Sequence, residues 1–129
     1  AKGVWSVHLP AALRGVDVTA LRSDGDRLLV GTQGRGLAIA TGADEVRFVD
    51  ERHGLGDDWV TALGVDSDGT PLVGTFVGGA YRLVGLRAEP VTATAGRCVT
   101  AIDAGWIATR AGLFRGDRMV KDGVFTAVV

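Results

Sequence analysis

The sequence predicts an all-β fold made of β-propeller blades, three four-stranded antiparallel units in succession. Three observations predict it. One pattern opens each unit: Val18-Thr19-Ala20-Leu21, Val60-Thr61-Ala62-Leu63 and Val99-Thr100-Ala101-Ile102. A second apolar run ending in threonine follows each time, at Leu28 to Thr32, Leu72 to Thr75 and Trp106 to Thr109, and then a glycine and a third apolar run. The copies start 42 and 39 positions apart, and a repeat near 40 residues that holds several short β runs is the spacing of a propeller blade. Few stretches carry helical periodicity over a useful length.

Val4 to Leu9 alternates apolar and polar residues and stops at Pro10, which reads as one strand. The first unit then begins. Val18 to Arg22 is a strand, and Asp24-Gly25 is a hairpin signal because both residues tolerate positive φ. Leu28 to Thr32 is a continuous apolar run, as expected of a strand covered on both faces. Leu37 to Ala40 and Val46 to Asp50 complete the unit. In the second unit the strands fall near Val60 to Val65, Leu72 to Thr75, Ala80 to Val84 and Ala88 to Ala93. Pro90 makes the last an edge strand, since proline cannot donate to an interior ladder. In the third unit the first hairpin shortens to Asp103-Ala104-Gly105. Gly116-Asp117 or Asp122-Gly123 then leads to a final strand, Val124 to Val129. The chain is therefore read as a single propeller-type domain over residues 1–129, with units near 18–50, 60–93 and 99–129 and an extra strand near 4–9.

Composition sets limits on function. The chain is 47% hydrophobic and 22% charged, with a net charge of −1 and both signs scattered. That distribution offers no long-range attraction for nucleic acid or an anionic membrane. A single cysteine, Cys98, rules out an internal disulfide. No apolar run approaches the roughly 20 residues of a membrane-spanning helix. Residues 1 to 10 do not form a signal peptide. The compartment stays open: periplasmic or extracellular for part of a sensor, otherwise cytoplasmic.

The order Val-Thr-Ala-Leu, Asp-Gly, Val-Gly-Thr, Gly-Leu resembles the propeller repeat of sensor ectodomains in bacterial hybrid two-component regulators. The connector His53-Gly54-Leu55-Gly56-Asp57-Asp58-Trp59 is similar to that family's Gly-Leu-Pro linker, with Gly56 in place of proline. The resemblance covers Val18 to the end and the strand near Val4 to Leu9. It implies a non-enzymatic sensory or binding module. The third copy departs from it, with Ala108 where the others carry Gly31 and Gly74.

A propeller closes with about four to eight blades, so three blades expose two apolar sheet faces. Either a second copy completes a six-bladed ring as a homodimer, or the chain is a fragment of a longer propeller. The end segments Val4 to Leu9 and Val124 to Val129 would compete for the outer place of the third unit.

In a propeller the innermost strands start at one rim, where ligands usually meet the fold. The candidate ligand-binding residues at that rim are Arg35, Asp57, Asp58, Trp59, Phe76, Arg97 and Arg110. Arginines beside an exposed aromatic have the chemistry to hold a carboxylate or a sugar, so a small molecule, a glycan or a protein is the expected kind of ligand. No metal or cofactor is expected, because His8 and His53 lack a ligating cluster. No nucleophile stands out; Ser23 and Ser67 precede Asp-Gly turns. Two alternatives remain open: a lyase or hydrolase using Asp57, Asp58, His53 and rim arginines, and a purely structural propeller fragment. Arg115-Gly116-Asp117 spells an integrin-type tripeptide but reads as a turn.

Overall fold

The computed structural model describes residues 13–42 and 45–122. It contains three four-stranded antiparallel sheets in chain order. The first holds β1 (Val18–Asp24), β2 (Arg27–Thr32), β3 (Leu37–Ala40) and β4 (Val46–Val49). The second holds β5 (Val60–Val65), β6 (Pro71–Thr75), β7 (Ala80–Val84) and β8 (Arg87–Pro90). The third holds β9 (Val99–Asp103), β10 (Trp106–Thr109), β11 (Gly112–Arg115) and β12 (Arg118–Asp122). Strands follow one another across each sheet, as in a propeller blade.

Sequence and structure differ at three places. The first hairpin turns at Gly25-Asp26, because Asp24 still pairs with Arg27 and joins it by an ion pair of 2.8 Å. The second blade's outer strand stops at Pro90 rather than Ala93. There Thr92–Thr94 forms a 3-10 turn, and the Thr94 hydroxyl donates to the Val91 carbonyl at 2.7 Å and accepts the Ala80 N–H at 2.9 Å. Finally, the outer strand of the third blade is Arg118–Asp122, reached through Gly116-Asp117. Gly116 adopts φ +56 there, and the Asp117 carboxylate accepts the Ala93 N–H at 2.5 Å. The Arg-Gly-Asp tripeptide is thus a turn that clasps the neighbouring connector. Val4 to Leu9 and Val124 to Val129 lie outside the described residues.

The repeated sequence builds repeated geometry. In every blade the ladder slips by one residue at the second position of the inner strand: Val18 pairs with Thr32 but Ala20 with Gly31, Val60 with Thr75 but Ala62 with Gly74, Val99 with Thr109 but Ala101 with Ala108. The skipped residue is a threonine each time. A bulge re-aims its side chain, and the Thr19 hydroxyl donates to the Val60 carbonyl at 2.5 Å while Thr61 donates to Val99 at 2.6 Å. These bonds join one blade to the next.

Close packing reinforces them. A Cβ on Gly31 would come within 2.6 Å of Val60 Cγ1, and one on Gly74 within 2.8 Å of Val99 Cβ. The first valine of each following blade therefore sits directly on the glycine of the blade before it. Around these seats lie the two main apolar cores. Leu29, Ile39, Val49, Val60, Val73 and Tyr81 fill the space between the first and second blades. Leu72, Val91, Val99, Ile107 and Phe114 fill that between the second and third. Leu13, Val30 and Ala38 form a smaller core on the other face of the first blade.

Thr32, Thr75 and Thr109 end the second strands, all fully buried. Each hydroxyl donates at 2.7 Å to the carbonyl of Gly36, Gly79 or Gly112, and accepts an N–H at 3.0 Å from Arg35, Gly78 or Ala111. One side chain thereby closes the turn between second and third strands. This explains the constancy of threonine at the end of a buried apolar run.

The candidate ligand-binding rim

The inner strands and the turns closed by these threonines meet at one end of the blades, since Val18, Val60 and Val99 pair with Thr32, Thr75 and Thr109. A belt of backbone hydrogen bonds runs across that rim. The residue after each threonine donates to the residue before its own inner strand: Gln33 to Asp17 at 2.9 Å, Phe76 to Trp59 at 3.0 Å and Arg110 to Cys98 at 3.0 Å. The turn of each blade is also tied to the connector entering the next. Gly34 and Gly36 donate to the Asp58 carbonyl at 3.0 and 2.8 Å, and Gly79 donates to Arg97 at 3.0 Å. All seven sequence-predicted site residues lie on this belt or next to it.

Their side chains divide into two groups. Asp57 is consumed by structure: one carboxylate oxygen accepts the Trp59 N–H at 3.0 Å and the other the Val77 N–H at 2.7 Å. Trp59 stacks on Phe76 with ring centroids 4.2 Å apart and planes inclined by 18°. Asp57 and Trp59 together hold the turn from Phe76 to Gly78 against the connector. Phe76 and Val77 remain 37% and 56% exposed. Arg35 and Arg110 are exposed and Arg97 half-buried. The Arg35 guanidinium lies 4.7 Å from the Phe48 ring centre, and that of Arg97 lies 5.2 Å from Phe114. None of these three arginines is paired with a carboxylate among the described residues.

Asp58 differs from Asp57. Its Oδ1 is buried without a hydrogen-bond partner among the described residues. Burial pushes its pKa up, and the negative charges of Asp50, Glu51 and Asp57 push the same way. His53 is engaged with a different carboxylate. It belongs to the 3-10 turn Glu51–His53 capped by Asp50, and its Nδ1 lies 3.1 Å from Asp50 Oδ1. The Arg52 side chain bonds to Asp50 and holds that carboxyl at about 2. Among the described residues, no group of three or more His, Cys, Asp and Glu is placed to hold a metal ion. No helix among them is long and apolar enough to cross a membrane.

The sequence did not expose the belt itself, because backbone bonds across blades leave no residue signature. It did carry a signal for Val77: the turns of the first and third blades read Gln33-Gly34-Arg35 and Arg110-Ala111, while the second reads Phe76-Val77-Gly78. Gly56 also has a local cause. A Cβ there would collide with the Tyr81 hydroxyl, so this connector has no room for proline.

No protein-family model and no curated protein matches the chain. Among solved structures it is similar to the extracellular domain of a hybrid two-component system from B. thetaiotaomicron, with 21% identity and a TM-score of 0.60. The match covers 76% of this chain but 15% of that one, so the three blades correspond to a small part of a much longer domain. The likeness establishes the fold as all-β blades of the propeller kind.

Proposed function

We propose that the chain is a non-enzymatic binding module of the propeller type, of use in a sensor, whose ligand meets the rim that carries Phe76. The observation that supports this reading is the treatment of the rim side chains. The Asp57 carboxylate and the Trp59 ring hold one turn in place, and that turn presents apolar surface to water. Rigid exposed apolar groups cost little to order on binding and are the usual anchors of recognition surfaces. The extracellular sensor-type neighbour agrees with it at the level of fold. An enzymatic reading has less support, because His53 is engaged by Asp50, apart from Asp57 and Asp58.

The test is the amide spectrum of the labelled protein against a panel of sugars, amino acids, aromatic acids and short peptides. Responses clustered at residues 33–36, 57–59, 76–79 and 110–111 are expected. Responses confined to the outer strands β4, β8 and β12 would overturn the reading.

A second proposal concerns assembly: two copies complete a six-bladed ring. Val18 and Leu21, on the inner strand of the first blade, are 49% and 63% exposed. The matching Val60 is fully buried by the blade before it. A two-fold ring would cover Val18 with the third blade of the other copy, at Ala108 in place of a glycine, and leave no open end. Light scattering at micromolar concentration should return twice the chain mass; a monomer with native β circular dichroism would refute it.

A further inference from the structure

We infer that Trp106 and Leu113 of the third blade are the contact surface for Leu21 and Val18 of a second copy, each copy giving and receiving one such contact. This rests on the ring reading above and names the residues that meet at its two closing junctions.

The two junctions inside the chain supply the template. At each, three parts of one blade are taken by the blade before it. The first is the leading valine: Val60 lies on Gly31, and Val99 on Gly74. The second is the apolar residue three positions later. Leu63 packs against the cluster that holds Leu29, and Ile102 against the cluster that holds Leu72. The third is the carbonyl two positions before the valine. Asp58 accepts from Gly34 and Gly36 at 3.0 and 2.8 Å, and Arg97 accepts from Gly79 at 3.0 Å.

The first blade presents the same three parts untaken. Val18 is half exposed and Leu21 more so. The Val16 carbonyl accepts no hydrogen bond among the described residues. The connector before this blade is nonetheless built like the next one: Leu13 is buried five positions before Val18, as Leu55 is before Val60.

The third blade carries the matching half. Leu29, Leu72 and Trp106 each stand three positions before the buried threonine of their blade. Leu29 and Leu72 are fully buried. Trp106 is only half-buried, with the Arg115 guanidinium 4.8 Å from its ring. Leu37, Ala80 and Leu113 pair with Gly31, Gly74 and Ala108. Leu37 and Ala80 are fully buried, Leu113 half-buried. Apolar area is thus left uncovered on two sides that fit each other, and burying it favours association. A net charge of −1 sets little repulsion between copies. Ala108 departs from the template: its methyl stands where glycine receives valine, so the junction between copies is looser than those within the chain.

The test is dilution of the labelled protein through the micromolar range. The Trp106 indole N–H and the Val18 and Leu21 amides should move together, along the curve by which light scattering reports dimer turning to monomer. Trp106→Phe assigns the indole. Ala108→Gly should tighten the dimer about tenfold. Leu21→Glu, at an exposed position, should leave a folded monomer. The pairing is read by adding excess unlabelled Leu21→Glu variant to dilute labelled protein. The variant keeps its Trp106 surface, so the labelled Leu21 amide should move while the labelled Trp106 indole stays still. Both moving, or neither, would overturn the pairing, and so would a dimer constant unchanged by Ala108→Gly. A dimer whose Trp106 indole ignores dilution refutes these contacts and leaves the dimer. A monomer at every concentration refutes the ring and this inference with it.

Discussion

The inner strands of the first two blades open with the same four residues, Val-Thr-Ala-Leu, yet they live in opposite surroundings. Val60 is fully buried on Gly31, and Thr61 reaches the third blade. Val18 is half exposed and Leu21 more than half. The difference is one of position: β5 has a blade on each side, while no blade precedes β1 among the described residues. The repeat unit therefore specifies a plug and a seat rather than a self-contained sheet. Its valine and the carbonyl behind it are the plug. Its bulged threonine and the glycine of its second strand are the seat.

Introducing a charge is the severest test of this contrast. Val60→Asp would bury a carboxylate with no partner, at a cost on the order of several kcal/mol. Val18→Asp should change the stability of the isolated chain by no more than about 0.5 kcal/mol. If two copies close a ring, it should instead abolish the dimer. Urea unfolding and native mass read the two effects separately. Equal losses of stability would end the distinction between a covered and an open inner strand.

Filling a seat comes next. Gly74→Val would push a side chain into Val99, and overpacking of this kind costs about 1–3 kcal/mol. Gly31→Val should behave alike against Val60. The melting temperature is the readout, and an unchanged value in either variant would contradict the seating of valine on glycine.

Smaller still is the loss of a single bond between blades. Thr61→Val keeps the shape but removes the hydroxyl that donates to the Val99 carbonyl, for about 0.5–1.5 kcal/mol. Hydrogen exchange should quicken between β5 and β9 more than between β5 and β6. Uniform quickening would mean that this threonine does not join blades in particular.

The parts of the fold that could be read from the sequence are those that recur. Strand starts at Val18, Val60 and Val99 and strand ends at Thr32, Thr75 and Thr109 stand out because three blades need the same buried residues at the same places. The tight fit over Gly31 and Gly74 follows from the same recurrence, with Ala108 at the position where no later blade follows among the described residues. What does not recur, or leaves no mark on residue type, is not legible in the sequence. The outer strand of the third blade, Arg118–Asp122, holds only Met119 and Val120 between charged residues, so the residue pattern points instead to the more apolar Val124 to Val129, which lies outside the described residues. The bulge at each threonine was invisible because strand patterns do not reveal a skipped pairing. At the rim, residue types pointed to the right end of the blades but not to their division of labour. Asp57 and Asp58 look equivalent in sequence, yet one caps a turn and the other hides an oxygen.

That last pair yields the smallest predicted effect and a sign that can be checked. Asp50 and Asp68 are each held at about 2, Asp50 chiefly by the Arg52 side chain and Asp68 chiefly by the Thr70 N–H. A carboxyl lowered by folding adds stability that is present above its unfolded value, 3.8, and that disappears as pH falls through the folded value. Asp58 runs the other way. Its pKa is raised by burial and by neighbouring acids, so its charged form weakens the fold, and stability is recovered as pH falls through that raised value. Asp58→Asn removes the charge while keeping the shape. It should raise the melting temperature slightly at neutral pH, and the gain should vanish in acid, where the native residue is protonated. Asp57→Asn, at a carboxylate that accepts two N–H bonds, should lower the melting temperature at neutral pH. If both variants shift it in the same direction, the two adjacent acids play one role, and the first and second blades are joined at Asp58 by its carbonyl alone.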